Sequence, residues 1–275
     1  TPKGTLWTHE DIFYAALQGG NPGGEPIKNP AELVAIIGNS QQPFSSLCPA
    51  PMMHGGGEWY CMIYQLSGNT FVLYTEHHFD SDKILAIIAR EKVINLIVVG
   101  DAMARPIAKA IATSPHDISS LFVIGSGGAI LSRPVKNLLR KQLPNAMIFD
   151  SFGASETGAG GSVMDHSETE AAGPIFTLTP NTAIVDEQLQ AIQPGSPVVG
   201  RLARCGHIPI GYYKDEKKTA ETFQTDTNGV RWVIPGDYAR VLEDGRAELL
   251  GRGSGCINSG GEKIYPEEVE AVLKA

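Results

Sequence analysis

The sequence has 275 residues and a mass of 29.4 kDa, which is long for one domain and short for two full ones. Apolar residues make up 42% and charged residues 19%, which excludes a disordered chain, a collagen-like repeat and a coiled coil. A net charge of -8 argues against a nucleic-acid or membrane-surface partner, so a polyanionic ligand would need a few placed cations or backbone amides.

The first part of the chain predicts βαβ units. A helix-starting box lies at Thr8–Asp11, Gly19–Gly20 would end that helix, and the Gly/Pro/Asn-rich residues 21–43 are predicted to form a surface excursion. Buried strands are then expected at 70–74, 94–99, 121–124 and 146–149, alternating with helices after Asp80, at 102–113 and at 132–142. Continuous apolar strands separated by helices indicate a parallel sheet.

After residue 174 the pattern changes to short apolar runs separated by turns, with little helix. The runs lie at 183–185, 197–202, 230–234 and 238–242. This spacing favours an antiparallel sheet or a small barrel. The predicted fold class is therefore α/β, with a parallel βαβ sheet region followed by a smaller antiparallel β region.

The segment Asp150–Gly161 follows a predicted strand and combines small residues with polar ones. Ligands of open α/β sheets bind beyond the carboxyl ends of strands. There, Ser151 and Ser155 could donate to phosphate oxygens, Phe152 could stack on a flat ring and Glu156 could hold Mg²⁺. The alternative is a glycine-rich loop whose carboxylate faces water.

A second glycine-rich segment, Gly125–Ile130, lies between a predicted strand and a predicted helix. It matches a dinucleotide fingerprint except at Ile130, where Gly or Ala is required. A tight turn beside a ligand fits better, and a plain turn remains the alternative.

His54 precedes three glycines at an expected strand-to-helix junction. We expect a structural histidine there, with a role in a ligand pocket as the second interpretation. Four scattered cysteines, Cys48, Cys61, Cys205 and Cys256, indicate neither a zinc ribbon nor a disulfide scaffold. Because no apolar run approaches the roughly 18 residues of a membrane span and no signal peptide is evident, we expect a reduced cytoplasmic protein.

Asp237 and Arg252 each follow a glycine, and either one alone would be a turn residue or a solvated charge. A hairpin turn at Asp244–Gly245 would place them opposite each other. With a two-residue loop, Val241 would face Glu248 and Ala239 would face Leu250, which predicts that Asp237 and Arg252 are cross-strand partners.

The ordered motifs TPKG, SFGASETG, GYYKDEKKTAETF, PGD and GRGSGCINSGGEKIYPEEVE resemble the adenylate-forming superfamily of acyl-CoA synthetases, adenylation domains and beetle luciferases. The resemblance covers essentially the whole chain, and the last motif is similar to that of fatty-acid and steroid-acid CoA ligases. It implies the large domain of an adenylate-forming enzyme: residues 1–252 as a partial large adenylation domain, and residues 253–275 as the hinge and the start of a C-terminal domain.

The activity that this resemblance implies is a two-step ligation of a carboxylic acid to CoA, with ATP and Mg²⁺. The acid attacks the α-phosphorus of ATP, pyrophosphate leaves, and the thiol of CoA then displaces AMP from the acyl adenylate. Whether the protein forms a homodimer stays open at this point.

The resemblance assigns roles by position. The residues implied to contact ATP or AMP are Thr1, Lys3, Gly127, Gly128, Ala129, Ser151, Phe152, Gly153, Ala154, Ser155, Asp237 and Arg252. Among them, Phe152 would stack on adenine, Ser155 would contact the α-phosphate, and Asp237 and Arg252 would hold the ribose. Glu156 would be the Mg²⁺ ligand, and His54 would lie near the acyl carboxylate.

Several positions depart from the family pattern. Phe152 stands in place of Tyr, Ser155 in place of Thr, Pro235 in place of a hydroxyl residue, and Ser254 at the hinge in place of Asp or Lys. The chain starts at Thr1 and ends on a helix start, so we expect an internal piece of a longer protein that lacks the closing lysine. A processed or trimmed chain is the alternative.

Three other functions compete with a CoA ligase. The nearest is an adenylation domain that loads a carrier protein, followed by a non-catalytic nucleotide-binding module. A Rossmann dehydrogenase is more distant because Ile130 breaks its fingerprint.

Overall fold

A computed structural model describes residues 3–39, 43–129, 131–164 and 174–253, the strands at 257–259 and 262–264, and positions 269 and 273. Contacts divide the chain into two compact units. The α/β unit is Ala16–Phe152, and the β-rich unit is Thr1–Ala15 with Gly153–Ala275. The expected domain boundary after residue 252 stays a prediction.

The chain starts in the β-rich unit with strand β1 (Thr5–Leu6) and helix α1 (His9–Ala15). The predicted helix-starting box is present, because Thr8 Oγ1 accepts from the backbone N–H of Asp11 at 3.0 Å and donates to its carboxylate at 2.6 Å. The helix stops at Ala15, and Gln18–Gly20 form a separate 3₁₀ turn.

The α/β unit contains a parallel sheet. Its strands are β2 (Ser45–Leu47), β3 (Thr70–Val72), β4 (Val93–Val98), β5 (Val123–Gly127) and β6 (Met147–Ala154), whose last two residues lie past the unit boundary. They pair in the order β3-β2-β4-β5-β6, and every pair is parallel. The prediction of a parallel βαβ sheet is confirmed.

The helices of the α/β unit are α2 (Pro30–Asn39), α3 (Gly55–Leu66), α4 (Ser81–Glu91), α5 (Gly100–Ile111) and α6 (Arg133–Gln142). Asp80 caps α4 as predicted, and its carboxylate accepts from the backbone N–H groups of Asp82 and Lys83. The sheet and helices enclose an aliphatic core that includes Leu47, Ile84, Leu85, Ile88, Leu96, Ile107, Ile124 and Leu139.

Three predictions about this unit need correction. The segment 21–43 contains helix α2, whose first turn is held by the side chain of Asn29. The strand expected at 70–74 ends at Val72 and is only half-buried. Strand β5 begins two residues later than predicted, and both β5 and β6 end later, because residues 125–127 pair with residues 149–151.

The β-rich unit is mainly antiparallel, as predicted. Its further strands are β7 (Gly158–Met164), β8 (Ile175–Leu178), β9 (Thr182–Val185), β10 (Val199–Arg204), β11 (Gly211–Tyr212), β12 (Phe223–Thr225), β13 (Arg231–Val233), β14 (Asp237–Val241) and β15 (Ala247–Arg252), with helix α7 (Glu216–Thr222). The order is β12-β13-β10-β14-β15-β8-β7, with β9 also paired to β10.

Two short antiparallel pairs complete the β-rich unit. Strand β1 pairs with β11, and β16 (Ile257–Ser259) pairs with β17 (Glu262–Ile264). In the described part of the chain, no helix combines the length and apolar character that a membrane crossing needs.

Candidate functional site

In the α/β unit, the predicted glycine turn forms where β5 ends. Gly127 lies opposite Ser151 on β6, and the turn follows at Gly128, whose φ is 78°. The buried hydroxyl of Ser126 donates to the carbonyl of Ala129 at 2.6 Å and accepts from the N–H of Gly100 at 3.0 Å. Residues 127–129 are therefore held in one conformation, whereas Ile130 lies outside the described residues.

Gly127 borders a pair of hydroxyl groups. A Cβ added at Gly127 would lie 3.1 Å from the Tyr60 hydroxyl and 3.3 Å from Ser151 Oγ, so a side chain fits only if they shift. Ser151 Oγ donates to the carbonyl of Ser126 at 3.0 Å and lies 3.1 Å from the Tyr60 hydroxyl. Burial raises the pKa of Tyr60, so its hydroxyl group stays protonated and can donate a hydrogen bond.

Ser151 donates to a backbone carbonyl of its own unit. Its expected role as a donor to phosphate stays a prediction. Sequence reasoning missed Tyr60, because a tyrosine on helix α3 carries no signal of the strand end that it reaches.

His54 is the N-cap of helix α3. Its Nδ1 accepts a hydrogen bond from the backbone N–H of Gly56 at 3.0 Å, so this nitrogen carries no proton there. The side chain lies at the surface of the unit. The structural interpretation is thus supported, and the acyl-pocket role stays a proposal.

In the β-rich unit, a tight turn presents Ser155 and Glu156. A Cβ at Gly153 would lie 2.3 Å from the carbonyl oxygen of Gly158, so only glycine fits this approach. Thr157 closes the turn: its N–H donates to the carbonyl of Ala154, and its Oγ1 accepts from the N–H of Ala154, both at 3.0 Å.

Two aromatic side chains hold this turn. Tyr212 donates its hydroxyl to Glu156 Oε1 at 2.7 Å, and Trp7 donates its indole N–H to the carbonyl of Ser155 at 3.0 Å. Burial, and then the hydrogen bond to Glu156, raise the pKa of Tyr212 well above its ordinary value. Its hydroxyl therefore stays protonated. Neither contact could be inferred from the sequence.

Arg204 supports the strand that leaves the turn. Its side chain is buried on β10, and its guanidinium donates to the carbonyl of Ala159 and weakly to Thr179 Oγ1 at 3.5 Å. Burial lowers the pKa of Arg204 to about 10.

The β14–β15 hairpin brings Asp237 and Arg252 together. They are cross-strand partners, as predicted, and Arg252 Nε donates to Asp237 Oδ1 at 3.2 Å. The register that leads there differs from the predicted one. The N–H of Gly245 donates to the carbonyl of Leu242, and the N–H of Leu242 donates to the carbonyl of Arg246, which makes a three-residue loop.

The longer loop shifts the neighbouring pairs by one residue. Val241 faces Ala247 and Ala239 faces Leu249, so the predicted pairs Val241–Glu248 and Ala239–Leu250 are wrong. An irregularity in the strand pairing between Tyr238 and Ala239 then shifts the register back by one residue, so that Asp237 has the predicted partner, Arg252. The predicted cross-strand pairing of Asp237 with Arg252 is therefore confirmed, although the argument for it contained two compensating errors.

Charged groups collect around Tyr212. The ammonium of Lys3 lies 4.8 Å from the centre of its ring, and the positive charge of Arg252 lowers the pKa of its hydroxyl against the larger effects. Because Arg252 also binds Asp237, the β-rich unit combines two carboxylates and two cations in one neighbourhood. We call Lys3, Glu156, Tyr212, Asp237 and Arg252 the Glu156 cluster.

The donor set of the Glu156 cluster suits a cation that is held mainly by another ligand. No group of three or more His, Cys, Asp or Glu side chains that could cage a metal occurs in the described ranges. Mg²⁺ in phosphate sites takes one or two carboxylates with substrate phosphates and water. Glu156 fits this requirement, because it is a half-buried carboxylate whose Oε1 accepts a hydrogen bond from Tyr212.

Two predicted site residues, Thr1 and Ser254, lie outside the described residues. The others divide between the units: Gly127, Gly128, Ala129, Ser151, Phe152 and His54 in the α/β unit, and Lys3, Gly153, Ala154, Ser155, Glu156, Asp237 and Arg252 in the β-rich unit.

Comparison with curated proteins gives long matches. The medium/long-chain-fatty-acid–CoA/3-oxocholest-4-en-26-oate–CoA ligase of Mycobacterium marinum is 48% identical over 277 residues, which covers 99% of this chain and 50% of the relative. The 3-oxocholest-4-en-26-oate–CoA ligase of Rhodococcus rhodochrous is 42% identical, with the same coverage. The chain thus spans about half the length of the curated relatives that it matches.

Solved structures share the fold. O-succinylbenzoate coenzyme A synthetase (MenE) from Bacillus subtilis, in complex with AMP, matches with a TM-score of 0.74 at 23% identity over 99% of this chain and 51% of that chain. ATP-bound MatB from Rhodopseudomonas palustris matches with a TM-score of 0.74 at 21% identity, covering 99% of this chain and 50% of that chain.

A family model described as AMP-binding enzyme matches residues 1–211, which is well over half of the chain. The order of motifs, the mixed α/β fold and the long matches agree with this result. The chain belongs to the AMP-binding enzyme family.

Proposed function

We propose that this chain carries the nucleotide-binding and acid-activating part of an ATP-dependent acyl-CoA ligase for fatty or steroid-type carboxylic acids. The observation that carries the proposal is the Glu156 cluster, in which Tyr212 donates to Glu156 Oε1 and has the ammonium of Lys3 over its ring, while Arg252 pairs with Asp237. Family membership and the names of the relatives from Mycobacterium marinum and Rhodococcus rhodochrous support the substrate class.

The reaction has two steps. A carboxylate oxygen of the acid attacks the α-phosphorus of ATP, and the bond to the bridging oxygen breaks, which releases pyrophosphate and forms the acyl adenylate. The sulfur of CoA then attacks the acyl carbon and AMP leaves with the bonding electrons, while the thiol proton passes to solvent. Splitting the ligation in this way turns a poor electrophile into a reactive one.

In the β-rich unit, we assign Glu156 to Mg²⁺, Ser155 to the α-phosphate, and Asp237 and Arg252 to the ribose hydroxyls. Bound Mg²⁺ would supply charge neutralisation at the phosphates. Thr1 and Lys3 are assigned to the phosphates, and the backbone of Gly153 and Ala154 to the nucleotide. These residues bind and orient the nucleotide. Positioning and charge stabilisation supply most of the catalysis of phosphoryl transfer.

In the α/β unit, we assign the turn Gly127–Ala129 to one wall of the adenine pocket and the ring of Phe152 to stacking on the base. Ser151 and Tyr60 would shape this wall, since their hydroxyl groups bond within the unit. His54 is assigned to the neighbourhood of the acyl carboxylate and Ser254 to the hinge. We also propose that CoA is the acyl acceptor, that the protein is cytoplasmic and that it forms a homodimer.

The test uses this chain joined to the flanking segments of the Mycobacterium marinum relative, in place of that relative's matched half. We call this protein the extended chain, and the unaltered relative is its control. ATP–pyrophosphate exchange is measured with medium-chain and long-chain fatty acids, 3-oxocholest-4-en-26-oate and an aryl acid. We expect exchange with the fatty or steroid acids, and formation of AMP and acyl-CoA when CoA is added.

Two further measurements sharpen this test. Glu156→Gln should lower exchange by about 100-fold or more, because it weakens the binding of the Mg²⁺ that neutralises charge at the phosphoryl centre. A folded extended chain that supports no exchange with any acid, while the relative is active, contradicts the proposal. Transfer to a holo-carrier protein but not to CoA would instead identify a carrier-loading adenylation domain.

A further inference from the structure

We propose that Trp7 and Tyr212 are positioning residues that hold the Ser155–Glu156 turn from two sides, so that the Glu156 carboxylate presents one fixed oxygen to a phosphate-bound divalent cation. Tyr212 holds the carboxylate itself, and Trp7 holds the backbone of the residue before it. This inference rests on the proposed role of Glu156 and adds the residues that make that role possible.

The contact of Tyr212 fixes which oxygen is available. Its hydroxyl donates to Oε1 at 2.7 Å, and Oε2 receives no hydrogen bond from any residue in the described ranges. The tyrosine itself cannot easily move, because only 5% of it is exposed and its ring packs edge-on against Phe223 at 5.8 Å. A glutamate so held loses little side-chain freedom when it takes up a cation.

The contact of Trp7 fixes the backbone of the turn. Its indole N–H donates to the carbonyl of Ser155 at 3.0 Å, across 148 residues of sequence. The turn is already closed by Thr157 on its far side, so Trp7 supplies the contact from outside the turn. A displacement of Ser155 would move Glu156 directly.

Tyr212 lies in a small two-stranded sheet, and Trp7 directly follows the other strand of that sheet. Strand β1 pairs with β11 through Thr5 opposite Tyr212 and Leu6 opposite Gly211, and Trp7 follows directly after β1. Two further backbone bonds extend the pairing, from Ile210 N–H to the Leu6 carbonyl at 2.8 Å and from Tyr213 N–H to the Gly4 carbonyl at 2.7 Å. The two side chains are therefore fixed relative to each other, and they act as one brace.

The experiment compares Tyr212→Phe and Trp7→Phe, which remove only the donating groups, with two matched controls in the extended chain. Tyr213→Phe changes the neighbouring tyrosine, which is 59% exposed. Trp232→Phe removes an indole N–H of the same unit that donates to Asp226 at 3.1 Å. Thermal unfolding midpoints of all four variants serve as the folding control.

Two quantities are measured for each variant: the Mg²⁺ dependence of ATP–pyrophosphate exchange, and the affinity for Mn²⁺–ATP from water-proton relaxation. For Tyr212→Phe and Trp7→Phe we expect the apparent KM for Mg²⁺ and the Kd for Mn²⁺–ATP to rise about five- to tenfold, as the loss of one hydrogen bond predicts. The KM for the acid should not change, and neither control should show the shift.

Coupling to Glu156 separates positioning from a general structural effect. In a Glu156→Gln background, Tyr212→Phe should cause no further loss of Mn²⁺–ATP affinity, because the carboxylate that it positions is absent. Unchanged Mg²⁺ dependence and unchanged Mn²⁺–ATP affinity in both brace variants would overturn the inference, as would full additivity with Glu156→Gln.

The outcomes also distinguish this inference from the proposed function. Active exchange that is indifferent to both brace variants refutes the brace and leaves the ligase proposal standing. Mn²⁺–ATP binding that weakens in both variants, in a protein without exchange or acyl-CoA formation, supports the brace and refutes the ligase. Failure of the parent protein to bind Mn²⁺–ATP refutes both.

Discussion

At the scale of single residues, Gly153 is the position in the Ser155–Glu156 turn that has no space for a side chain. We expect Gly153→Ala to lower the free energy of unfolding by about 1–3 kcal/mol, because the new methyl group would meet a backbone oxygen 2.3 Å away. Urea unfolding of the 275-residue chain measures the change. Gly38→Ala is the control, since nothing lies within 4 Å of a Cβ there, and it should stay within about 1 kcal/mol of the parent.

A second residue-scale prediction concerns the buried thiol of Cys48. Burial raises its pKa from the ordinary 9.0 to about 11, so the native state keeps a proton that the unfolded chain releases above pH 9. Stability therefore falls as pH rises through this window. Relative to pH 7, the parent should lose about 1.4 kcal/mol more unfolding free energy by pH 10 than Cys48→Ala does. Equal losses in the two proteins would contradict the assigned pKa.

The residues that sequence reasoning missed share a physical reason. Tyr60, Trp7 and Tyr212 are each joined to the predicted motifs by contacts between segments that are far apart in sequence. A motif marks where ligand chemistry occurs, but the partner of each motif side chain depends on strand pairing over long separations. Glu156 could be proposed from the sequence, whereas its hydrogen bond to Tyr212 could not.

At the scale of elements, glycines mislead in opposite ways. Gly125 and Gly127 looked like the start of a turn but continue strand β5, because the neighbouring strands supply the ladder. In the β14–β15 hairpin, Gly245 (φ 81°) is the last residue of a three-residue loop and not the second residue of a two-residue loop. Turn type cannot be read from Asp-Gly alone, since both loops accept that dipeptide.

The hairpin leads to a prediction about nucleotide binding. Asp237→Ala in the extended chain should weaken ATP binding by about 1–3 kcal/mol, because a ribose hydroxyl and Arg252 would both lose an acceptor. It should also reduce the preference for ATP over 2′-deoxy-ATP, which serves as the matched control ligand. Calorimetric titration measures both affinities. If the two residues form only a structural ion pair, the unfolding midpoint falls while the ATP affinity stays unchanged.

At the scale of the whole molecule, the alternation of apolar runs and helices was enough to predict the parallel sheet, since each βαβ unit repeats the same local pattern. The strand order β3-β2-β4-β5-β6 was not predictable, because several orders satisfy the same connections. Helix α2 was missed because its flanking glycines and prolines outweighed a short apolar stripe. The antiparallel part was predictable as a class, but its pairing required the three-dimensional structure.

The last prediction concerns the chain taken by itself. The 275-residue chain spans about half the length of the curated relatives, and charge stabilisation at the reacting phosphorus is often the largest catalytic contribution. We therefore expect the isolated chain to bind adenine nucleotides weakly and to form acyl-CoA at least about 100-fold more slowly than the extended chain does, as the loss of such a contribution predicts. Calorimetry with ATP and a coupled assay for AMP release measure the two quantities at equal protein concentration. Circular dichroism provides the folding control, because an unfolded chain would be inactive for another reason. A folded isolated chain whose acyl-CoA formation matches that of the extended chain would show that residues 1–275 hold every group that the reaction needs.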